Sequence, residues 1–262
     1  MLNPAPDNPD AFPPSIAVSL RGLAPAYGGV RSALHALAGS GLRAAALDAA
    51  SPETRPRLLS RSDRRDLAAA LRRAELAAAG LDLLIRSEAW SDPAESDRAV
   101  AAGVEAIRLA SDLRALDAAE QLPVLCVSLP AEGAQPAADT LNAEAGRHGV
   151  LVAAVGEHLG NEEDQAEASR VARSARLTRL SGSGDTPSAA AERVIELGPS
   201  LAQLRIDSAE PEVLAALAGC VPAMSVACRG ATGVIDCFAG AGRTRAESML
   251  VRCITAWLAA AL

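Results

Sequence analysis

Short apolar runs alternate with longer amphipathic stretches along most of the chain. "SIAVSL" (15–20), "LRAAALDA" (42–49), "LDLLIRS" (81–87), "LPVLCVSL" (122–129) and "VLVAAV" (150–155) are near-continuous apolar runs, as expected of strands covered on both faces. The stretches between them carry helix signals. "SDRRDLAAALRRAELAAAG" starts near Ser62, sets Leu67, Leu71, Ala74 and Ala78 on one stripe, and stops at Gly80 as a C′ residue. "DPAESDRAVAAGVEAIRLASDL" opens with Asp92 as N-cap and Pro93 at the first helical position, and groups Val100, Val104 and Ile107. "GAQPAADTLNAEAGRHG" supplies the helix before the fifth strand. This alternation predicts a parallel sheet.

Beyond residue 160 an acidic, Arg-rich helix, "EEDQAEASRVARSARL", leads to the turn "SGSGDTPS" and a helix from Thr186–Pro187 to about Gly198. "LAQLRIDS" (201–208), "PAMSVACRG" (222–230) and "GVIDCFAG" (233–240) then read as strands six, seven and eight. The last two lie too close for a parallel crossover, which takes a dozen or more residues. The prediction is an α/β protein, a (β/α)8 TIM barrel over residues 15–262, irregular or shortened around strands seven and eight. Residues 1–14, rich in proline and acid, form a tail outside it. An open doubly wound sheet is the alternative.

Half the residues are apolar, yet the chain has only two Phe, two Trp and one Tyr, so the core must be built from Ala, Leu, Val and Ile. A net charge of −7 opposes a nucleic-acid partner, because phosphate binding needs clustered positive charge. The chain has no lysine, which removes Schiff-base aldolases, pyridoxal-phosphate enzymes and lysine-dependent P-loop enzymes. Five cysteines without a C-x-x-C spacing suggest neither zinc knuckle nor disulfide framework, and fit a reduced cytoplasm. No apolar run reaches the roughly 18 to 20 residues of a membrane span.

In a barrel of this kind reactive groups belong at the C-terminal ends of strands. Those ends carry Arg21, Asp48, Arg86 with Glu88, Ser128, Glu157 with His158, Asp207, Cys228 with Arg229, and Asp236. Carboxylates and an imidazole converging from several strands suit a divalent metal with an open position for substrate oxygens. Glu157, His158 and Asp207 are the candidate metal ligands, joined by Glu88 or Asp236, and Glu157 and Asp207 the candidate catalytic carboxylates. The same residues equally suit solvated loops and helix caps. His35 and His148 sit within or at the end of predicted helices, leaving His158 as the histidine at a strand end.

Residues 15–130, and above all the passage from "LRAAALDAASPETRPRLLSRSDRRDLAAALRRAELAAAGLDLLIRSEAWSDPAESDRAVAAGVEAIRLASDL", resemble the xylose isomerase-like barrels, the sugar phosphate isomerases/epimerases. In "LDLLIRSEAW" Glu88 is kept, while Ala89 stands where members often carry histidine. "IDSA" (206–209) looks like the family's Leu-Asp-Pro-Ala signature and gives Asp207 a metal role; matching "LGPS" (197–200) to that signature instead puts Gly198 there. Val155–Gly156 takes the place of the family's Glu-Asn pair. "VACRG" lacks the strand-seven histidine and acid, and no final glutamate follows. The resemblance implies a bacterial-type barrel acting on a small sugar or sugar phosphate, with proton transfer assisted by a divalent metal (Mn, Mg or Zn).

"VIDCFAGAGRTRAE" (234–247) mimics the first motif of S-adenosylmethionine-dependent methyltransferases, but too little chain follows for the rest of that sheet. In a barrel, Gly240 and Gly242 before a helix present backbone N–H groups to an anion, with Arg229 and Arg243 as anion contacts and Glu88 as a substrate contact. Equally, the segment is a tight turn into the terminal helix. Two functions remain: a metal-assisted sugar isomerase or epimerase, and a pseudoenzyme barrel, without cofactor, that binds a small metabolite or protein partner without turnover.

Overall fold

Strands β1 (Ile16–Ser19), β2 (Ala44–Asp48), β3 (Ala77–Leu83), β4 (Val124–Val127), β5 (Leu151–Ala154), β6 (Ala172–Arg176), β7 (Leu201–Ile206) and β8 (Thr232–Ile235) are hydrogen-bonded in chain order into a closed parallel barrel. The helices are α1 (Leu20–Tyr27), α2 (Val30–Leu37), α3 (Arg61–Arg73), α4 (Ser96–Ala115), α5 (Gln135–His148), α6 (Leu177–Leu180), α7 (Pro187–Leu197), α8 (Pro211–Ala227) and α9 (Arg243–Ala261). This is a computed structural model, and it describes residues 16–116, 122–130, 132–155, 172–180, 187–228 and 230–261. The predicted tail at 1–14 lies outside them. Among the described residues no helix is long and apolar enough to cross a membrane.

The (β/α)8 barrel expected from the sequence is present, and its last third closes without shortening. "PAMSVACRG", read above as strand seven, is mostly the end of α8. That helix of 17 residues is itself the crossover between "LAQLRIDS" and "GVIDCFAG", which are β7 and β8, so the short spacing between "PAMSVACRG" and "GVIDCFAG" needs none. The sixth strand is instead β6, "ARSAR", inside a stretch read as helix. Its pattern misleads because Ser174 and its arginines replace the usual apolar run.

Boundaries also move. Ser60, not Ser62, caps α3: its hydroxyl accepts from the Asp63 N–H while the Asp63 carboxylate accepts from the Ser60 N–H. The helix stops at Arg73, so Gly80 is not its C′ residue but lies in β3. There a Cβ would come within 1.9 Å of the Val124 carbonyl oxygen, so only glycine lets β3 approach β4. Asp92 caps a turn ahead of α4 by accepting from the Ala94 N–H.

Alternation sorts the strand residues between two environments. Val18, Ala45, Leu47, Leu81, Leu83, Leu125, Val127, Leu204, Ile206 and Ile235 pack outward with the helices. Inside, small apolar side chains such as Ala17, Ala44, Ala46 and Val234 cluster together. Gly233 on β8 makes room for α9, since a Cβ there would meet the Trp257 ring at 2.2 Å. The interior also contains polar residues: Ser19, Asp82, Ser174, Gln203 and Arg205 are at most 2% exposed.

Candidate functional site

Those polar residues form one network across the barrel. Arg205, on β7, donates through Nη1 to Asp82 Oδ1 and through Nη2 to Asp82 Oδ2, both at 2.8 Å. The same Nη2 reaches Asp236 Oδ2 at 2.8 Å, and Nε reaches that oxygen at 3.2 Å. Ser19 donates to Asp82 Oδ2 at 2.8 Å. Gln203 Oε1 accepts from Arg205 Nη1 at 3.4 Å and from Ser174 at 3.3 Å. One guanidinium thus joins carboxylates from β3 and from the exit of β8.

Burial explains this arrangement. An ionised side chain taken out of water is tolerated only when its charge and its hydrogen bonds are answered. Asp82 and Arg205 have no exposure at all, whereas Asp236 keeps 14% of its side chain accessible. Asp236 is therefore the member of the network that reaches the mouth, and its Oδ1 makes no hydrogen bond among the described residues. Burial is the largest influence on Arg205 and lowers its pKa, but Asp82, with Cys126 and Asp236, more than offsets it and holds the guanidinium well above its ordinary range. Burial pushes the neighbouring Cys126 thiol up to about 11.

Asp48 ends β2 beside Asp82 in the strand register. Its Oδ1 accepts from the Ala50 N–H at 2.9 Å. Burial raises its pKa, opposed by that hydrogen bond, and the Asp82 charge raises it further. A half-buried carboxyl of this kind keeps its proton to higher pH than a solvated one.

The described residues among those proposed as ligands or substrate contacts from the sequence are, Asp236 apart, scattered. Glu157, His158 and Arg229 lie outside the described residues. Asp207 directs both oxygens to Thr178 on α6, accepting from its N–H at 3.2 Å and its hydroxyl at 2.5 Å. Glu88 is exposed in a turn after β3, its pKa lowered chiefly by its own N–H and by Ser87. Arg243 donates to Glu247 at 3.0 Å and lies 5.1 Å from the centre of the Tyr27 ring, joining α9 to α1 on the surface. Ser128 donates to the Ile85 carbonyl. Burial raises the Cys228 pKa, and its thiol faces the Val194 carbonyl. Asp82 and Arg205, the centre of the network, were not among the sequence candidates.

A divalent metal needs several donor groups converging on one point. Among the described residues no group of three or more His, Cys, Asp or Glu is placed to hold one. The two carboxylates that do converge, Asp82 and Asp236, converge on a cation already in the chain, so they do not fit a resident metal.

No protein-family model matches the chain, and no curated protein does. Solved structures do match. A sugar phosphate isomerase/epimerase from Parabacteroides distasonis aligns with a TM-score of 0.63 at 13% identity, covering 99% of each chain. A xylose isomerase domain containing protein from Salmonella typhimurium aligns with a TM-score of 0.59 at 14% identity, covering 93% of this chain and 97% of its own. The chain has the fold of the sugar phosphate isomerase/epimerase barrels. A second P. distasonis sugar phosphate isomerase/epimerase, with a TM-score of 0.57 and 11% identity over 92% of this chain and 96% of its own, shares it. Within this isomerase/epimerase fold the mouth lies at the C-terminal ends of the strands, where Asp48 and Asp236 stand.

Proposed function

We propose that the protein is a divergent barrel of the sugar phosphate isomerase/epimerase type that binds a small sugar or sugar phosphate at the C-terminal mouth, with no metal seated on Asp82 and Asp236. One observation carries this reading: the Arg205 guanidinium holds both carboxylates. The site offers a ligand hydroxyl the Asp236 oxygen that makes no hydrogen bond among the described residues, and the raised carboxyl of Asp48. Binding without metal-assisted turnover follows most directly. A metal brought by Glu157 and His158 would recruit Asp207 only if Asp207 gave up Thr178.

A second reading, turnover by proton transfer, is favoured by Asp48, whose raised pKa suits it to exchange a proton with a sugar carbon next to a carbonyl. One experiment addresses both. The protein is titrated calorimetrically with aldoses, ketoses and their phosphates, with and without EDTA, and the best ligand is then followed by NMR in D2O. Saturable binding that survives EDTA is expected. Deuterium entering beside the carbonyl, and lost in D48N, selects turnover; binding with no exchange selects the turnover-free barrel. Absence of saturable binding across the panel removes the proposal.

A further inference from the structure

The five cysteines are all free and buried, and two of them meet. Cys237 follows Asp236 directly, in the segment leaving β8, and Cys253 lies in the second half of α9. Their sulfurs are 3.7 Å apart, and the residues are 16 positions apart in sequence. Cys253 is fully buried, whereas Cys237 retains 8% exposure. A disulfide needs about 2.05 Å between sulfurs, so closure asks for a side-chain movement of about 1.7 Å, small enough for two adjacent thiols without unfolding either element. The other thiols are placed elsewhere: Cys126 inside the barrel, Cys220 within α8, and Cys228 against the Val194 carbonyl.

We propose that Cys237 and Cys253 are a reversible thiol pair, which a small-molecule disulfide oxidises to an intrachain bond tying the exit of β8 to α9. Cys237, the residue of the pair that keeps some exposure, gives up its thiol proton, attacks one sulfur of the small disulfide and expels a thiolate. Cys253 then attacks the mixed disulfide at Cys237 and expels the second thiolate. The two protein thiols lose two protons and two electrons; the small disulfide gains them and leaves as two thiols. The new bond sits one residue from Asp236, so it anchors the backbone carrying the carboxylate that reaches the mouth.

The test uses the full-length folded chain, incubated with oxidised glutathione, alkylated, and examined by intact mass and non-reducing peptide mapping. Expected are the loss of two hydrogens, one linked peptide joining Cys237 to Cys253, reversal by dithiothreitol, and a thermal midpoint higher by roughly 5–10 °C, because the cross-link constrains the unfolded chain. C253A should instead stop at a single glutathione on Cys237. Should C253A not fold, the triple variant C126A/C220A/C228A keeps the pair and should lose both alkylatable thiols on oxidation. Full retention of thiols in the folded wild type or in that triple variant overturns the proposal, as does a link from either residue to Cys126, Cys220 or Cys228.

Discussion

Arg205 grips Asp82 through both carboxylate oxygens, at 2.8 Å each, and neither side chain reaches solvent. Removing one partner of such a pair leaves the other charged and unanswered in the interior. R205M is therefore expected to lower unfolding stability by about 3–5 kcal/mol, read from the urea midpoint. R205K should recover only part of this, because an ammonium cannot reproduce the planar fork. Adding D82N to R205M should restore stability relative to R205M alone. Equal stability of R205M and wild type would show that the network carries no weight.

Asp48 sets a pH dependence. Its carboxyl is raised above the ordinary value of 3.8, so the folded chain binds this proton at higher pH than the unfolded chain does. Where the folded state holds more protons, stability falls as pH rises. The Asp48 contribution should thus decline as pH climbs from the ordinary carboxylate range through the raised value. D48N should gain on the wild type above that window and lose the advantage on acidification, as measured by urea unfolding at stepped pH. An advantage that grows on acidification would contradict the assigned cause.

Divalent ions give a direct check on the cation inside the barrel. Adding Mn2+ or removing metal with EDTA should leave the wild-type thermal midpoint unchanged, because Arg205 already answers Asp82 and Asp236. A saturable rise with Mn2+ that disappears in D82N would place a metal in the network and displace this account.

Gly233 and Trp257 form a tight fit between β8 and α9. G233A drives a methyl group into the indole, 2.2 Å from its nearest ring atom before relaxation, and should cost about 1–3 kcal/mol. Pairing it with W257L frees space, so the double variant should be more stable than the sum of the two single losses predicts. Strict additivity in a thermodynamic cycle would rule out the contact as the cause.

The sequence made the barrel legible because apolar runs buried on both faces are hard to mistake, and five of the eight strands announced themselves this way. β6 did not, since Ser174 faces polar partners inside the barrel and the surrounding arginines imitate a solvated helix. The site was less legible for a related reason. Ending the third strand at Arg86 and Glu88 moved attention past Asp82, although β3 stops at Leu83. A usable signal was present: Asp82 and Arg205 are opposite charges embedded in apolar runs, "GLDLL" and "LAQLRI", and such charges have to find each other. Periodicity gives no cross-strand partner, so the pairing itself emerges only from the closed sheet.

Closure of that sheet also bears on how the protein is made. Ile16, Ala17 and Val18 on β1 pair with Gly233, Val234 and Ile235 on β8, so the first strand of the barrel to be synthesised waits for the last before both of its edges are satisfied. Asp82 likewise waits for Arg205, 123 positions later. A nascent chain interrupted before β8 would display unpaired edges on β1 and β7, making the interval before β8 emerges the one in which this barrel is most exposed to self-association.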